Sequence, residues 1–84
     1  MYTVRFSKKA EKRLKKIDPA MRRRVLEKMK NLEINPRNGP NIKTMVGFVN
    51  RYRYRIGDFR VVYEIIDRDL VVWVIEADWR GNIY

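Results

Sequence analysis

The stretch Arg51–Ile66 reads RYRYRIGDFRVVYEII and decides the fold that this sequence predicts. Its first six residues alternate between arginine and an apolar or aromatic residue, which is typical of a strand with one buried face. Gly57-Asp58 is a two-residue hairpin signal, so the chain is expected to return as an antiparallel strand. A two-residue turn also fixes the register. The predicted facing pairs are Ile56 with Phe59, Arg55 with Arg60, Tyr54 with Val61, Arg53 with Val62, and Tyr52 with Tyr63.

The hairpin then has two chemically different faces. One face is apolar and aromatic and offers a seat for helices, and the other carries Arg51, Arg53, Arg55 and Arg60. Like charges directly opposite each other destabilise a sheet, so folding alone would not select Arg55 facing Arg60. Two interpretations remain open: a solvated basic face, or an anion site in which guanidinium groups grip phosphate oxygens.

The segment before the hairpin predicts one strand and two helices. Tyr2–Phe6 alternates like a short strand, and Ser7 can cap a helix whose apolar positions recur at spacings of four and three. Asp18-Pro19 ends this helix and starts a second one, which is predicted to continue to about Glu33. The loop NPRNGP at 35–40 breaks the second helix.

After the hairpin, Leu70–Glu76 predicts a third, central strand, followed by a tail at residues 77–84. The order β-α-α-β-β-β predicts one α+β domain over residues 1–84. In it, an N-terminal helix hairpin packs on one face of a mainly antiparallel four-stranded sheet.

Composition limits the chemistry that the domain can perform. The 84 residues include 20 Lys and Arg against 10 Asp and Glu, a formal charge of +10, and no cysteine or histidine. Cysteine or histidine zinc sites, thiol nucleophiles and Ser-His pairs are excluded, and a polyanion is the expected partner. We find no leader or membrane-spanning run and expect a cytoplasmic protein without metal or cofactor.

The hairpin stretch resembles the central signature of the RelE/ParE superfamily of prokaryotic toxins from toxin–antitoxin systems. The resemblance covers essentially the whole chain. It includes VRFSKKAEKRL at 4–14, Asn35-Pro36, Lys43 with Gly47, and the tail from Trp79-Arg80 to Ile83-Tyr84. It implies a RelE-like fold and an endoribonuclease that cleaves messenger RNA in the ribosomal A site and is silenced by a cognate antitoxin.

By position, the resemblance implies a set of site residues. The expected catalytic residues are Arg53, Arg55, Arg60, Arg80 and Tyr84, and the expected RNA-binding residues are Lys43, Arg51 and Trp79. The implied reaction is attack of a ribose 2′-hydroxyl on the adjacent phosphorus with expulsion of the 5′-oxygen. Arginines that clamp the phosphate suit this reaction, since negative charge builds on it in the transition state.

The sequence departs from the family pattern at the groups that would move protons. Many relatives carry histidine where Trp79 stands, and others carry lysine at the positions of Arg53 and Arg55. Arginine is a poor proton acceptor because of its very high pKa. Tyr84 is therefore the expected group for proton handling.

Two alternative functions share these features. A ParE-like toxin would poison DNA gyrase, and a non-catalytic basic module would bind nucleic acid without needing Arg80 and Tyr84. The arginines at 53, 55, 60 and 80 together favour the nuclease. The expected partners are a small acidic or amphipathic antitoxin, the ribosome and messenger RNA. The toxin alone is expected to be a monomer that becomes oligomeric with its antitoxin.

Overall fold

A computed structural model describes residues 1–82 of the chain, except for the side chain of Asn82. The strands are β1 Thr3–Phe6, β2 Ile42–Thr44, β3 Arg51–Ile56, β4 Phe59–Ile66 and β5 Val71–Trp79. The helices are α1 Lys8–Lys16, α2 Pro19–Met29 and the single turn α3 Asn31–Ile34. Short 3-10 turns occupy Asp67–Asp69 and Arg80–Asn82.

The strands form one five-stranded sheet in the order β1-β5-β4-β3-β2. Only the β1–β5 pair is parallel among these strands, and the other three pairs are antiparallel. The predicted α+β class and the mainly antiparallel sheet are therefore confirmed. β3 and β4 pair in the predicted register, with Ile56 facing Phe59 and Arg55 facing Arg60.

The apolar face of the hairpin forms the sheet side of the hydrophobic core. Tyr52, Tyr54, Ile56, Phe59, Val61 and Tyr63 are all buried there, and the buried stripe of the helices packs on them. That stripe consists of Ala10, Leu14, Ile17, Val25, Met29 and Leu32. Apolar positions three and four residues apart lie on one side of a helix, so each helix turns this stripe inward.

The helix ends are fixed by local hydrogen bonds. Ser7 accepts a hydrogen bond from the backbone of Ala10, and Asp18 accepts from Ala20 and Met21, so both are N-caps. Arg22 donates to the carbonyl oxygens of Leu14, Lys15 and Ile17 at distances of 2.8–3.2 Å. It thereby satisfies the free C-terminal carbonyls of α1.

The sheet has one strand more than the predicted four. β2 is three residues long, which is too short for an alternation pattern to register, and it exists because it pairs with β3 from Thr44 to Ile42.

Two element ends also lie elsewhere than the sequence predicts. β5 continues past Glu76 to Trp79, because Ala77, Asp78 and Trp79 pair with the start of β4, and Asp78 itself forms an ion pair with Arg13 at 3.3 Å. The second helix ends at Met29 and is followed by the separate turn α3.

Candidate active site

The β2, β3 and β4 strands form a small basic cleft, which we call the arginine cleft. It encloses about 220 Å³ and is lined by Asn41, Lys43, Arg53, Arg55 and Arg60. Register explains the arrangement, since Lys43 faces Arg53 across β2 and β3, and Arg55 faces Arg60 across β3 and β4. Four cations and one amide line the cleft, and no carboxylate is among the lining residues.

The hairpin turn holds two of these arginines together. Arg55 Nε donates to the Gly57 carbonyl oxygen at 3.3 Å, and Arg60 Nη1 donates to the same oxygen at 3.2 Å. Gly57 has a φ of 61°, a left-handed conformation that glycine adopts without steric cost. The turn therefore places one carbonyl between two guanidinium groups that would otherwise repel each other.

Arg60 lies at the base of the cleft and is only 9 % exposed. Burial lowers the pKa of Arg60, and the positive charges of Arg55, Arg80 and Arg53 lower it further, while Asp58 opposes them. The neighbours that lower this pKa are the arginines that the sequence assigns to the site. A cluster in which cations disfavour each other is stabilised when an anion enters it.

The tail brings Arg80 to the same turn. The backbone N–H of Arg80 donates to the Asp58 carbonyl oxygen at 2.6 Å, directly after β5 ends at Trp79. Asp78 faces Arg60 across β4 and β5, accepts a hydrogen bond from the backbone of Trp79 at 2.8 Å and pairs with Arg13. The contacts of Asp78 with Arg13 and of Arg80 with Asp58 therefore hold the end of β5 in place next to the cleft.

The sequence assigned Lys43 to RNA binding and left Asn41 unassigned, and both line the arginine cleft. Asn41 has a φ of 69°, and its carbonyl oxygen accepts a hydrogen bond from the Arg55 backbone at 2.9 Å. Asparagine tolerates the left-handed region better than most residues. In the sequence, Asn41 could be noticed only as a residue that tolerates a left-handed conformation after Gly39-Pro40. That pattern predicts a turn, but it does not predict a functional site.

Arg80 is not among the residues that line the cleft, and two other assigned residues also lie outside it. Arg51 is at the far end of β3, where its guanidinium stacks on the Phe48 ring with 4.1 Å to the ring centre. Trp79 packs edge-to-face on buried Phe59 with ring centres 5.2 Å apart, and it is 40 % exposed. The remaining catalytic candidate, Tyr84, lies outside the described residues.

A second group of cations lines a smaller cavity beside α1. This cavity of about 160 Å³ is lined by Lys9, Lys12, Arg13, Lys16, Ala77 and Asp78. Lys9 pairs with Glu76 at 3.0 Å, and Arg13 pairs with Asp78. Two of these four cations therefore have carboxylate partners.

Within residues 1–82, no helix has both the length and the apolar character needed to cross a membrane. Over the same residues, the acidic side chains form no group of three or more that could hold a metal ion.

Comparison with known proteins identifies the class of protein. The family model for the ParE toxin of type II toxin–antitoxin systems matches residues 4–78. The chain therefore belongs to this family, and it is a RelE/ParE-superfamily toxin of a type II toxin–antitoxin system.

The individual relatives carry the RelE name. The chain is 29 % identical to the toxin RelE1 of Methanocaldococcus jannaschii, over 99 % of this chain and 94 % of the relative. It is similar to a chain of the intact Escherichia coli RelBE toxin–antitoxin complex, with a TM-score of 0.83 and 26 % identity over 94 % of this chain and 96 % of that one. It is also similar to a chain of the archaeal RelE–RelB complex of Pyrococcus horikoshii, with a TM-score of 0.79, 30 % identity and 98 % coverage of both chains.

Proposed function

We propose that this toxin is a RelE-type endoribonuclease that cleaves messenger RNA on the ribosome without a metal ion. The arginine cleft is the observation that carries the proposal. Its cations surround the only lining group that is deeply buried, Arg60, and the cleft has the size and charge to receive a phosphodiester.

The expected reaction breaks one P–O bond and forms another. The ribose 2′-hydroxyl attacks the adjacent phosphorus, the bond to the 5′-oxygen breaks, and the products are a 2′,3′-cyclic phosphate and a 5′-hydroxyl. As the 2′-oxygen loses its proton and bonds to phosphorus, the phosphodiester gains one further negative charge, which is spread over its non-bridging oxygens at the transition state. Arg60 and Arg55, held over the Gly57 carbonyl, are positioned to stabilise this charge as it develops.

The proton steps need a group that is not always protonated. The proton of the 2′-hydroxyl must leave, and the 5′-oxygen must receive one. Arginine cannot accept a proton near neutral pH, so the four arginines serve as charge stabilisers and positioning groups. We assign proton transfer to Tyr84, in line with the family pattern. We assign to the ribosome the task of aligning the RNA in the site.

We further propose that a small antitoxin encoded with the toxin silences it. The RelE chains of the Escherichia coli and Pyrococcus horikoshii structures are in complexes with RelB. The strongly basic surface of this chain favours an acidic or amphipathic partner.

The decisive experiment incubates the purified toxin with ribosomes carrying a defined message and maps the RNA ends. We expect cleavage, and we expect Arg60→Ala and Arg80→Ala each to slow it by about 100-fold or more, because each removes charge stabilisation at the phosphate. Arg68→Ala is the matched control, since its side chain is 87 % exposed at the remote β4–β5 turn.

Two results would contradict the proposal. An intact message together with inhibited supercoiling by DNA gyrase would assign the toxin to the ParE type. Binding of RNA without cleavage, with only modest losses in the arginine variants, would identify a non-catalytic binding module.

A further inference from the structure

A second groove lies next to the arginine cleft, on the helix side of the hairpin. This groove, which we call the helix–loop groove, encloses about 390 Å³ between α2, α3, the loop at 35–41 and strands β2 and β3. Asn41 and Arg55 line both the groove and the cleft, so the two are neighbours on either side of the hairpin. The volume lies within the range of pockets that hold small organic ligands.

We propose that the helix–loop groove binds the RNA nucleotide next to the cleaved phosphate. The inference rests on the proposed function, because it places the RNA chain in the neighbouring arginine cleft. It assigns a phosphate-binding end to Arg24 and Lys28 and a base-reading end to Asn31 and Asn38.

The phosphate end is defined by its distance from the hairpin turn. A methyl group placed on Gly57 would lie 3.5 Å from Arg24 Nη1, so the Arg24 guanidinium rests directly on the turn. Arg55 and Arg60 donate to the carbonyl oxygen of the same glycine. Successive phosphates of one RNA strand could therefore pass from Arg60 to Arg24 across the turn, with Lys28 one helical turn beyond Arg24.

The base end presents amides beside apolar surface. Asn31 Nδ2 donates to the Tyr54 hydroxyl at 3.4 Å, while Asn38 is exposed on the opposite loop. Ile34, which is 76 % exposed, lies with them in the lining. A side-chain amide both donates and accepts hydrogen bonds at a base edge, and an apolar side chain covers the flat face of a base.

The loop that carries Asn38 is held in place. Asn35 Oδ1 accepts hydrogen bonds from the backbone N–H groups of Arg37 and Asn38, and the Tyr63 hydroxyl donates to the Pro36 carbonyl at 2.5 Å. Because the loop is fixed to the core, the amides keep their positions before a ligand arrives. Such preorganisation favours selective binding.

Charge alone would also suit an acidic peptide, but two observations favour a nucleotide. The groove shares a wall with the cleft in which the phosphodiester is expected, and its lining includes the side-chain amides of Asn31, Asn35, Asn38 and Asn41. An acidic peptide would need cations along its length, whereas the cations of this lining are Arg24, Lys28 and Arg55.

Nucleotide binding can be measured without the ribosome. We would titrate the ¹⁵N-labelled toxin with each of the four nucleoside 3′,5′-bisphosphates and follow the side-chain amide signals of Asn31 and Asn38 by NMR at constant ionic strength. We expect saturable shifts and a Kd that differs at least several-fold among the bases. Inorganic phosphate should leave both amide signals in place.

The matched variants separate the groove from general attraction. Arg24→Ala with Lys28→Ala should raise the Kd by about tenfold or more, since it removes charged contacts to phosphate. Lys30→Ala with Arg68→Ala removes the same charge from exposed positions outside the groove lining and should change the Kd less than twofold.

Three results would overturn the inference. Equal shifts with inorganic phosphate would identify a simple anion site. Unmoved amide signals would exclude the groove as the nucleotide site. If an acidic decapeptide shifted the same signals and bound more tightly, the groove would be a protein-docking surface. None of these results depends on cleavage. If the toxin left messages intact but bound bisphosphates in this groove, the proposed function would be refuted and the nucleotide site would stand.

Discussion

Arg60 illustrates how a single residue carries the site. A guanidinium that is 9 % exposed loses much of its hydration, and its pKa is lowered by that burial and by three neighbouring arginines. Two contacts offset this cost: the Gly57 carbonyl accepts a hydrogen bond from Arg60, and the negative charge of Asp58 opposes the lowering of the Arg60 pKa. Its rigid placement is what a phosphate-binding group requires.

Tyr63 gives a prediction about stability at the same scale. Its ring is fully buried, and its hydroxyl donates to the Pro36 carbonyl at 2.5 Å. Burial raises the pKa of Tyr63, so the hydroxyl remains a donor at any physiological pH. Tyr63→Phe leaves a buried carbonyl without its donor and should lower the free energy of unfolding by about 1–3 kcal/mol, measured by urea denaturation.

Tyr52→Phe is the control for this substitution. The Tyr52 ring stacks on Tyr63 with centroids 5.7 Å apart, but across residues 1–82 its hydroxyl has no hydrogen bond. Its loss should change the free energy of unfolding by less than about 0.5 kcal/mol. Equal effects of the two substitutions would refute the role of the Pro36 contact.

At the scale of elements, strand ends and loops are joined by a small polar network. Arg37 donates to Asp67, and the Tyr2 hydroxyl donates to the other carboxylate oxygen of Asp67 at 2.8 Å. The network links the residue before β1, the turn after β4 and the loop at 35–41. The hydrogen bonds from Arg37 and Tyr2 hold the pKa of Asp67 below its ordinary value of 3.8, and they raise the pKa of Arg37.

This network predicts a pH dependence of stability. A carboxylate whose pKa is depressed by folding contributes stability above its unfolded pKa and loses it as the pH falls through the folded value. Asp67→Asn should therefore lower the Tm at pH 6, and the difference from the wild type should shrink below about pH 4. Thermal unfolding followed by circular dichroism at pH 6 and pH 2.5 measures both.

The same substitution at Asp69 provides the control. Its contact with Arg68 is 3.6 Å, and both side chains are more than half exposed, so an effect close to zero is expected at either pH. If Asp67→Asn and Asp69→Asn behaved alike, the Asp67 network would have no special role.

At the scale of the whole molecule, the charge divides into two parts. Residues 1–35 hold 12 Lys and Arg against 4 acids, and residues 36–84 hold 8 against 6. Most of the excess therefore lies on the helices, whereas the arginine cleft belongs to the nearly balanced half. Net charge identifies the class of partner, and the positions of a few arginines identify the site.

The salt dependence of RNA binding tests this division. If Lys43, Arg53, Arg55, Arg60 and Arg80 make the phosphate contacts, the log–log slope of affinity against salt should be roughly −3 to −4 for a single strand. Fluorescence anisotropy with a 2′-O-methyl oligonucleotide between 50 and 300 mM salt measures it. Arg53→Ala should reduce the magnitude of the slope by about one.

The control for this measurement neutralises exposed cations of α1. Lys8→Gln with Lys15→Gln should leave the slope within about 0.5 of the wild-type value, because neither residue lines the arginine cleft. A slope steeper than about −7, reduced by about two in this variant, would show that the helices provide the contacts.

How far the sequence predicted the fold depended on the range of each interaction. The hairpin register followed from a two-residue turn and a strict alternation, and both helix starts followed from Ser7 and Asp18. The missed parts depend on partners far along the chain. β2 forms only by pairing with β3, and β5 extends to Trp79 because its last residues pair with the start of β4.

By itself the sequence determined that four arginines would share one face of a hairpin and that the chain resembles a RelE/ParE toxin. Those conclusions rest on the two-residue alternation of the strand, the residues of the turn and the family motif, which are all local properties of the chain. Only the tertiary structure decided which cations converge. It placed Lys43 of β2 and the preceding Asn41 beside Arg53, Arg55 and Arg60, buried Arg60 and left Arg51 stacked on Phe48. It also placed Arg24 on the Gly57 turn, because contacts between distant segments are set by packing and not by spacing.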